Sequence, residues 1–111
     1  MPTTFSPGIE DLREHAADAA RLLRTLGNES RLLVLCMLSE GERSVGELNA
    51  QLDLSQPALS QHLALLREGG LVKTRRVAQT IYYSLAPGPA AEVIRTLHDI
   101  YCPSDREAGC R

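Results

Sequence analysis

The segment from residue 44 to residue 85 constrains the fold most, because two short helical patterns and two alternating strands follow one another directly in it. The helical patterns cover residues 44–52 and 55–70. Runs of alternating polar and apolar residues follow at 71–76 and 80–85, and this period of two is typical of strands. The chain therefore contains a helix pair joined by a tight turn and followed at once by a hairpin.

Local signals indicate where these two helices begin and end. Ser44 with Glu47 three residues later forms a capping box, and Ser55 is a second N-cap. Gly69 and Gly70 end the second helix, because glycine adopts the left-handed conformation that a helix C-terminus favours. This order of elements is that of a winged helix-turn-helix, in which the second helix of the pair enters the DNA major groove.

The second helix presents two different faces. Leu59, Leu63 and Leu66 recur at helical spacing and form an apolar stripe, whereas the opposite face is polar. Serine, glutamine and histidine side chains near the start of such a helix can hydrogen-bond to base edges. We expect base-edge or adjacent phosphate contacts here, with Ser55 as the cap, from Gln56, Ser60, Gln61 and His62. For His62 the alternative is a helix-edge histidine whose hydrogen-bond partner lies inside the protein.

The hairpin is expected to carry the second set of DNA contacts. The candidates for phosphate or minor-groove contact are Lys73, Arg75, Arg76, Gln79 and Thr80. The whole chain has a net charge of −2, but residues 55–85 carry four basic side chains against the single acidic Glu68, which leaves the remainder at −5. A locally basic face on an acidic body is compatible with DNA binding, and the alternative is an ordinary solvated charge pattern. The tip, near residues 76–79, lacks glycine, so the sequence leaves the register of the hairpin open.

The residues of this region resemble a known family. This sequence resembles the recognition helix and the wing of the ArsR family in the segment Leu54-Ser-Gln-Pro-Ala-Leu-Ser-Gln-His-Leu-Ala-Leu-Leu-Arg-Glu-Gly-Gly-Leu-Val, followed by Arg75-Arg76 and Ile81-Tyr-Tyr-Ser-Leu. The resemblance extends over residues 12–102, nearly the whole chain. It implies a homodimeric repressor that binds double-stranded operator DNA and leaves it when an inducer binds.

The expected architecture is mainly α with a small β-hairpin wing, a winged helix-turn-helix of about five helices. Residues 1–8 are expected to form a flexible N-terminal arm, residues 9–103 the DNA-binding and dimerisation domain, and residues 104–111 a C-terminal tail. No long apolar run indicates a signal peptide or a membrane span, so we expect a cytoplasmic protein without a membrane partner.

The first and last helical patterns carry the candidates for the dimer interface. In the first, Leu12, Ala16, Ala19 and Leu23 recur at alternating steps of four and three residues. In the last, a broad stripe contains Ile94, Leu97 and Tyr101. The first stripe is equally compatible with covering the chain's own core, and the family resemblance favours the dimer. Between these helices, residues 32–38 are apolar on every side and predict a central buried helix containing Cys36, with Asn28 as the N-cap.

Metal sites of the ArsR family do not fit this sequence. Thiolate sites of the family use cysteines in the first helix of the DNA-reading pair, and residues 45–54 contain none. The alternative site on the last helix uses several histidines and carboxylates, and only His98, Asp99 and Glu92 are near one another there. Because zinc needs three or four convergent ligands, we expect no metal and no other cofactor.

Cys36 and Cys102 are the candidate sensing residues. Their placement, in the central helix and at the end of the last helix, resembles the sulfide- and persulfide-responsive subfamily of ArsR repressors. The resemblance implies that persulfides or polysulfides join the two cysteines by a disulfide or polysulfide bridge, and that the operator is then released. Cys102 is expected to attack first, with His98 one turn earlier as a charge that offsets the helix dipole. The alternative is that Cys36 is a small apolar core residue and Cys102 an idle thiol.

Other functions remain as alternatives. A metal-responsive repressor would use Cys36, Cys102 and His98. A thiol redox protein is disfavoured because the chain has no Cys-x-x-Cys and no βαβ pattern, and we expect no enzymatic activity. A winged-helix module could also dock another protein. Cys110, which has no counterpart in the resemblance, could compete by bridging with Cys102 or with another molecule.

Overall fold

The computed structural model describes residues 6–102 and contains five helices and three strands in that range. Their order along the chain is α1 (Ser6–Leu26), α2 (Glu29–Ser39), β1 (Arg43–Ser44), α3 (Val45–Gln51), α4 (Gln56–Glu68), β2 (Val72–Val77), β3 (Thr80–Leu85) and α5 (Pro89–Tyr101). The expected mainly α winged helix-turn-helix of five helices is confirmed, with α3 and α4 as the helix pair and β2 and β3 as the wing.

The predicted N-caps are confirmed. The Ser44 hydroxyl accepts a hydrogen bond from the Glu47 backbone N–H at 3.1 Å, and the Glu47 carboxylate accepts one from the Ser44 N–H at 2.8 Å. Ser55 accepts in the same way from the N–H of Ala58, and Asn28 caps α2 through its side-chain oxygen. Each cap satisfies a backbone donor that the first helical turn leaves without an intrahelical partner, so the caps fix where α2, α3 and α4 begin.

The end of α4 is also set by local chemistry. Gly70 has a φ of +76°, and the N–H of Leu71 donates to the carbonyl of Leu66 at 2.9 Å while the N–H of Gly70 donates to Arg67. This is a Schellman motif, in which a left-handed glycine turns the chain away from the helix axis. The predicted glycine stop is thus confirmed, and β2 begins two residues after Gly70.

The wing belongs to a three-stranded antiparallel sheet of order β1-β3-β2. Its register, which the sequence left open, pairs Val72 with Leu85 and Val77 with Thr80, so the tip is a two-residue turn. The edge strand β1 pairs with β3 and was not predicted. With only two residues it is too short to show an alternating pattern.

The core lies between α2, α4, α5 and the sheet. Its largest fully buried side chains are Val34, Leu35, Leu48, Leu59, Leu63, Leu66 and Ile94. The prediction that the central helix, α2, is buried on every side is wrong, because 47% of the Leu33 surface is exposed. Cys36 is half-buried rather than buried, since it lies at the edge of the α2 face that enters the core.

Helix α1 projects one apolar flank away from this core. Among residues 9–26 of this helix only Leu26, at the C-terminal end, is buried, whereas Leu12 and Leu23 are 63% and 60% exposed. The helix begins at Ser6, before Ile9, where the sequence pattern begins. The rest of the predicted arm, residues 1–5, and the whole predicted tail lie outside the described residues. No helix within residues 6–102 has the length and apolar character needed to cross a membrane.

The wing tip predicts a stabilising substitution. Ala78, the first residue of the tight turn, has a φ of +56°, where the β-carbon of an L-residue is crowded. We expect Ala78→Gly to raise the free energy of unfolding by roughly 0.5–1 kcal/mol, because glycine adopts this conformation without the steric cost. Urea denaturation of the purified protein measures the change.

A control separates this effect from a general effect of glycine. Ala64→Gly, at an exposed site within α4, should lower the free energy of unfolding by about 1 kcal/mol, since glycine is a poor helix former. If both variants destabilise the protein, the strain assigned to Ala78 is refuted.

Candidate DNA interface and cysteine pair

Helix α4 turns its polar face away from the core. Leu59, Leu63 and Leu66 are buried, and the exposed side chains among the predicted DNA contacts of this helix are Ser55, Gln56, Ser60 and Gln61. The hydroxyl of Ser55 is engaged in the N-cap. The other three side chains are open to a ligand.

The structure brings helix and wing candidates together in one groove. Gln56 and Ser60 of α4 line this groove with Gln79 and Thr80 of the wing tip. Its floor includes Tyr83 of β3, which is buried. Residues of the recognition helix and of the wing tip, which lie far apart in sequence, thus line one groove at the start of the recognition helix.

His62 has a partner within the protein. It is half-buried, and its Nδ1 lies 3.5 Å from Nη1 of Arg31 on α2. Because a guanidinium only donates hydrogen bonds, this contact requires Nδ1 as the acceptor. Arg31 is held in turn by the carbonyl of Thr25 at 2.8 Å. This arrangement matches the alternative of a helix-edge histidine whose hydrogen-bond partner lies inside the protein.

Strand alternation divides the cations of the wing between two faces. Lys73 and Arg75 share a face with Tyr82, whereas Arg76 lies on the opposite face, the side of buried Tyr83. Tyr83 also lines the groove beside α4. Arg76 therefore lies on the face of Tyr83, and Arg75 lies on the other face.

Arg75 is held by a residue that sequence reasoning missed. Its Nη2 and Nε donate to the two carboxylate oxygens of Glu42 at 2.7 and 3.0 Å, and its guanidinium lies 5.2 Å from the centre of the Tyr82 ring. The hydrogen bond with Arg75 lowers the pKa of the Glu42 carboxyl and raises the pKa of the guanidinium. No local pattern could identify Glu42, because its partner is 33 residues away.

The two candidate sensing cysteines lie on a pair of packed helices. Cys36 is a free thiol on α2. Cys102 follows the last residue of α5 and donates its backbone N–H to the carbonyl of His98 at 2.7 Å. Cys102 is disulfide-bonded, and since Cys36 is free, the two are not bonded to each other. The predicted competition by Cys110 concerns a residue outside the described range.

Helix α5 packs against α2 and against the loop that follows it. Ala91 and Arg95 of α5 line a groove with residues 38–42, and further along the helix Nε2 of His98 lies 3.5 Å from a carboxylate oxygen of Glu40. Cys36 is one turn before Glu40, and Cys102 is one turn after His98. Each cysteine therefore lies about one helical turn from the Glu40–His98 contact.

The surroundings of Cys36 disfavour its thiolate. Burial raises the pKa of its thiol, and the negative charge of Glu40 raises it further. On α5, Nε2 of His98 is buried without a hydrogen-bond partner among the described residues. Its distance of 3.5 Å from Glu40 suits an ion pair when the imidazole is protonated. No group of three or more His, Cys, Asp and Glu side chains within residues 6–102 could hold a metal ion.

The predicted dimer residues differ in exposure. Ala16 and Ala19 are exposed on α1, as are Leu12 and Leu23. On α5, 78% of the Tyr101 surface is exposed and Leu97 is half-buried, but Ile94 is fully buried in the chain's own core. Ile94 therefore packs within its own chain, and its side chain is not available to a partner.

Comparisons with known proteins agree with this geometry. The family described as "Bacterial regulatory protein, arsR family" matches residues 28–74. The transcriptional activator HlyU of Vibrio cholerae is 47% identical over 98 residues, which cover 88% of this chain and 91% of that protein. The biofilm growth-associated repressor of Xylella fastidiosa is 44% identical over 99 residues, which cover 89% of this chain and 87% of that protein.

A solved structure extends the similarity to three dimensions. Reduced HlyU from Vibrio cholerae superposes with a TM-score of 0.79 at 49% identity, covering 84% of this chain and 98% of that chain. The similarity thus includes nearly the whole of the solved protein and extends well beyond the segment that the family match spans.

The effect of the Glu40 charge on the Cys36 thiol leads to a prediction. Glu40→Gln should lower the pKa of Cys36 by removing one of the two causes that raise it. In a protein that also carries Cys102→Ser and Cys110→Ser, we expect roughly twofold faster alkylation of Cys36 by iodoacetamide at a fixed pH near neutrality, a small effect because Glu40 is solvent-screened. Mass spectrometry measures the rate across a pH series. Glu68→Gln on α4 is the control, and equal rates in both variants would contradict the assignment.

Proposed function

The chain belongs to the ArsR family of bacterial regulatory proteins, and on this premise we propose that it is a homodimeric repressor whose operator is released when reactive sulfur joins Cys36 to Cys102. As a family member the protein is a DNA-binding transcriptional regulator. The family includes proteins named as activators and as repressors. Repression by steric occupation of an operator needs only the DNA-binding surface, without a further activating contact.

The observation that carries the proposal is the packing of α5 against α2. It supports a bridge because Cys36 and Cys102 each lie about one helical turn from the 3.5 Å contact between Glu40 and His98. A disulfide requires Cα atoms within about 7 Å, which neighbouring helices in contact can satisfy. The free thiol of Cys36 provides one reactant directly. Cys102 must first be reduced, so the reaction starts from the fully reduced protein.

The chemistry follows from the reactivity of the two thiols. Burial and Glu40 raise the pKa of Cys36, so Cys102 is the first nucleophile. Its thiolate attacks the outer sulfur of a small persulfide, which breaks the S–S bond and releases a thiolate. Cys36 then attacks the sulfur of Cys102 itself and releases hydrogen sulfide, leaving a disulfide. Each additional sulfur atom in the bridge consumes one further persulfide. The protein is modified once and needs no catalytic turnover.

A bridge acts on DNA through the geometry of a dimer. Two recognition helices read half-sites about 34 Å apart on one face of the duplex. If α5 and α1 form the dimer interface, a bond between α2 and α5 changes how each winged helix-turn-helix is oriented relative to that interface. Because the half-site spacing is fixed by the DNA, operator affinity falls.

The exposed apolar flank of α1 and the end of α5 support the dimer. Leu12, Leu23 and Tyr101 are 63%, 60% and 78% exposed within one chain. Ala16 and Ala19 lie between the two leucines on α1, and small residues allow two helix axes to approach closely. Large exposed apolar surfaces on a small protein are typical of interfaces.

The sulfur switch is tested with cysteine variants. We expect Cys36→Ser and Cys102→Ser to bind a duplex selected from a random pool by the reduced wild-type protein with unchanged affinity. Glutathione persulfide should release the wild-type protein from this duplex and leave both variants bound, because neither can form the bridge. Intact-mass spectrometry with peptide mapping identifies the product, and fluorescence anisotropy follows the release.

Cys110→Ser is the matched control, since it keeps both proposed sensing thiols. It should respond like the wild-type protein. If Cys36→Ser or Cys102→Ser still leaves the DNA on treatment with persulfide, the two-thiol switch is wrong. If the wild-type protein is bridged but stays bound, the link between bridging and release is wrong.

The dimer interface is tested on α1. Leu23→Glu places a charge on the proposed interface and should shift the protein from dimer to monomer at micromolar concentration, since a buried unpaired carboxylate is costly. Sedimentation velocity measures the change. Val77→Glu, at an apolar residue of the wing that is 45% exposed, is the control and should remain dimeric. A dimeric Leu23→Glu variant would exclude this flank of α1 from the interface.

A further inference from the structure

The ion pair between Glu42 and Arg75 spans the full width of the sheet. Glu42 directly precedes the edge strand β1, and Arg75 lies on β2 at the opposite edge. Between them, Tyr82 of β3 pairs with Ser44 on one side and with Arg75 on the other. The guanidinium lies 5.2 Å from the centre of the Tyr82 ring and reaches the carboxylate with two hydrogen bonds. All three strands are thus held by one side-chain bridge.

The geometry of this bridge differs from that of an ordinary surface ion pair. Two parallel N–H···O bonds fix the relative orientation of the planar groups, and the stacking on Tyr82 removes a further degree of freedom. Exposed pairs add little to stability, and bidentate arginine–carboxylate pairs within a network are the exception. Such a pair fixes the position of its two side chains and contributes little to the free energy of unfolding.

The backbone on either side of Glu42 has a defined conformation. Gly41 has a φ of +152°, and a β-carbon there would lie 3.1 Å from the Arg43 guanidinium, so the turn into β1 favours glycine. Two residues after Glu42, Ser44 caps α3, the first helix of the DNA-reading pair. The bridge therefore joins the wing to the start of the helix-turn-helix.

We propose that Glu42 is a positioning residue for DNA binding, which clamps Arg75 and thereby sets the orientation of the wing relative to the recognition helix. Arg75 then serves as the wing's anchor instead of a phosphate ligand. Its location supports this role, because strand alternation places it on the face of Tyr82, opposite Arg76, and Arg75 does not line the groove beside the recognition helix. Its donors on Nε and Nη2 are occupied by Glu42.

If Arg75 were a phosphate ligand instead, the same substitutions would change DNA affinity and its salt dependence differently. If Arg75 bound a phosphate and Glu42 only competed for the guanidinium, removing the carboxylate would strengthen DNA binding. Removing the arginine would make DNA binding less dependent on salt. On duplex DNA, each phosphate that a protein neutralises adds about 0.9 to the magnitude of the slope of log Kobs against log salt. A clamp releases no counterion, so removing it weakens binding and leaves this slope nearly unchanged.

The experiment compares Glu42→Gln, Arg75→Gln and the double variant at pH 7, where the lowered pKa of Glu42 keeps its carboxylate ionised. Fluorescence anisotropy measures the affinity for a duplex selected from a random pool by the wild-type protein, at several salt concentrations. We expect the affinity of each single variant to fall roughly two- to fivefold with an unchanged salt slope, and that of the double variant to fall no further than either single one.

Arg76→Gln is the matched control, because it removes a neighbouring arginine on the opposite face of the wing, where the residue has no carboxylate partner among the described residues. It should reduce the magnitude of the salt slope by about 0.9 if Arg76 neutralises one phosphate. The exchanged pair, Glu42→Arg with Arg75→Glu, should restore most of the affinity that the single variants lack. Thermal unfolding verifies that each variant is folded.

Three outcomes overturn the proposal. The first is tighter DNA binding by Glu42→Gln, and the second is a reduced salt slope for Arg75→Gln equal to that of Arg76→Gln. The third is an additive decrease of affinity in the double variant together with no recovery in the exchanged pair. None of these results depends on the cysteines, so the clamp and the sulfur switch are tested separately.

Discussion

The apolar stripe of α4 is the contact on which the rest of the structure depends. Leu59, Leu63 and Leu66 are buried against the core, and truncation of one such side chain typically costs about 2–5 kcal/mol. Because the helical period is fixed, burying this stripe determines which residues face outward, and Gln56 and Ser60 are directed to the groove that they share with the wing. The packing that stabilises the domain is therefore also what presents its DNA-reading face.

The loop after α2 connects the region of the two cysteines with the wing. Glu40 contacts His98 beside the cysteine-bearing ends of α2 and α5, and Glu42, two residues later, holds Arg75 of the wing. Gly41 lies between them with its positive φ. A displacement of the C-terminal end of α2 therefore moves the carboxylate that anchors the wing. No direct contact between the cysteines and the DNA interface is needed for a change at one to reach the other.

The sequence was sufficient for the parts of the structure that are locally determined. Ser44, Ser55 and Asn28 cap helices because the hydrogen bonds that they accept come from residues three positions away, and the glycine stop of α4 is equally local. The Glu42–Arg75 pair joins residues 33 positions apart, and the contact of His62 joins it to Arg31 at a separation of 31. Such partners depend on how α2, α4 and the sheet pack, which periodicity and capping patterns do not encode.

The basic character of residues 55–85 therefore overstates the charge available to DNA. One of its four cations, Arg75, is neutralised by a carboxylate from outside the segment, and Arg67 lies in the last turn of α4, away from the end that is expected to read bases. Lys73 and Arg76 remain on the two faces of the wing. If Arg75 anchors the hairpin, the remaining contacts to phosphate come from polar side chains, from backbone N–H groups and, in the proposed dimer, from a second copy of the surface. A winged helix on an acidic chain can follow this route to bind DNA with few cations, provided that each lies at a fixed position.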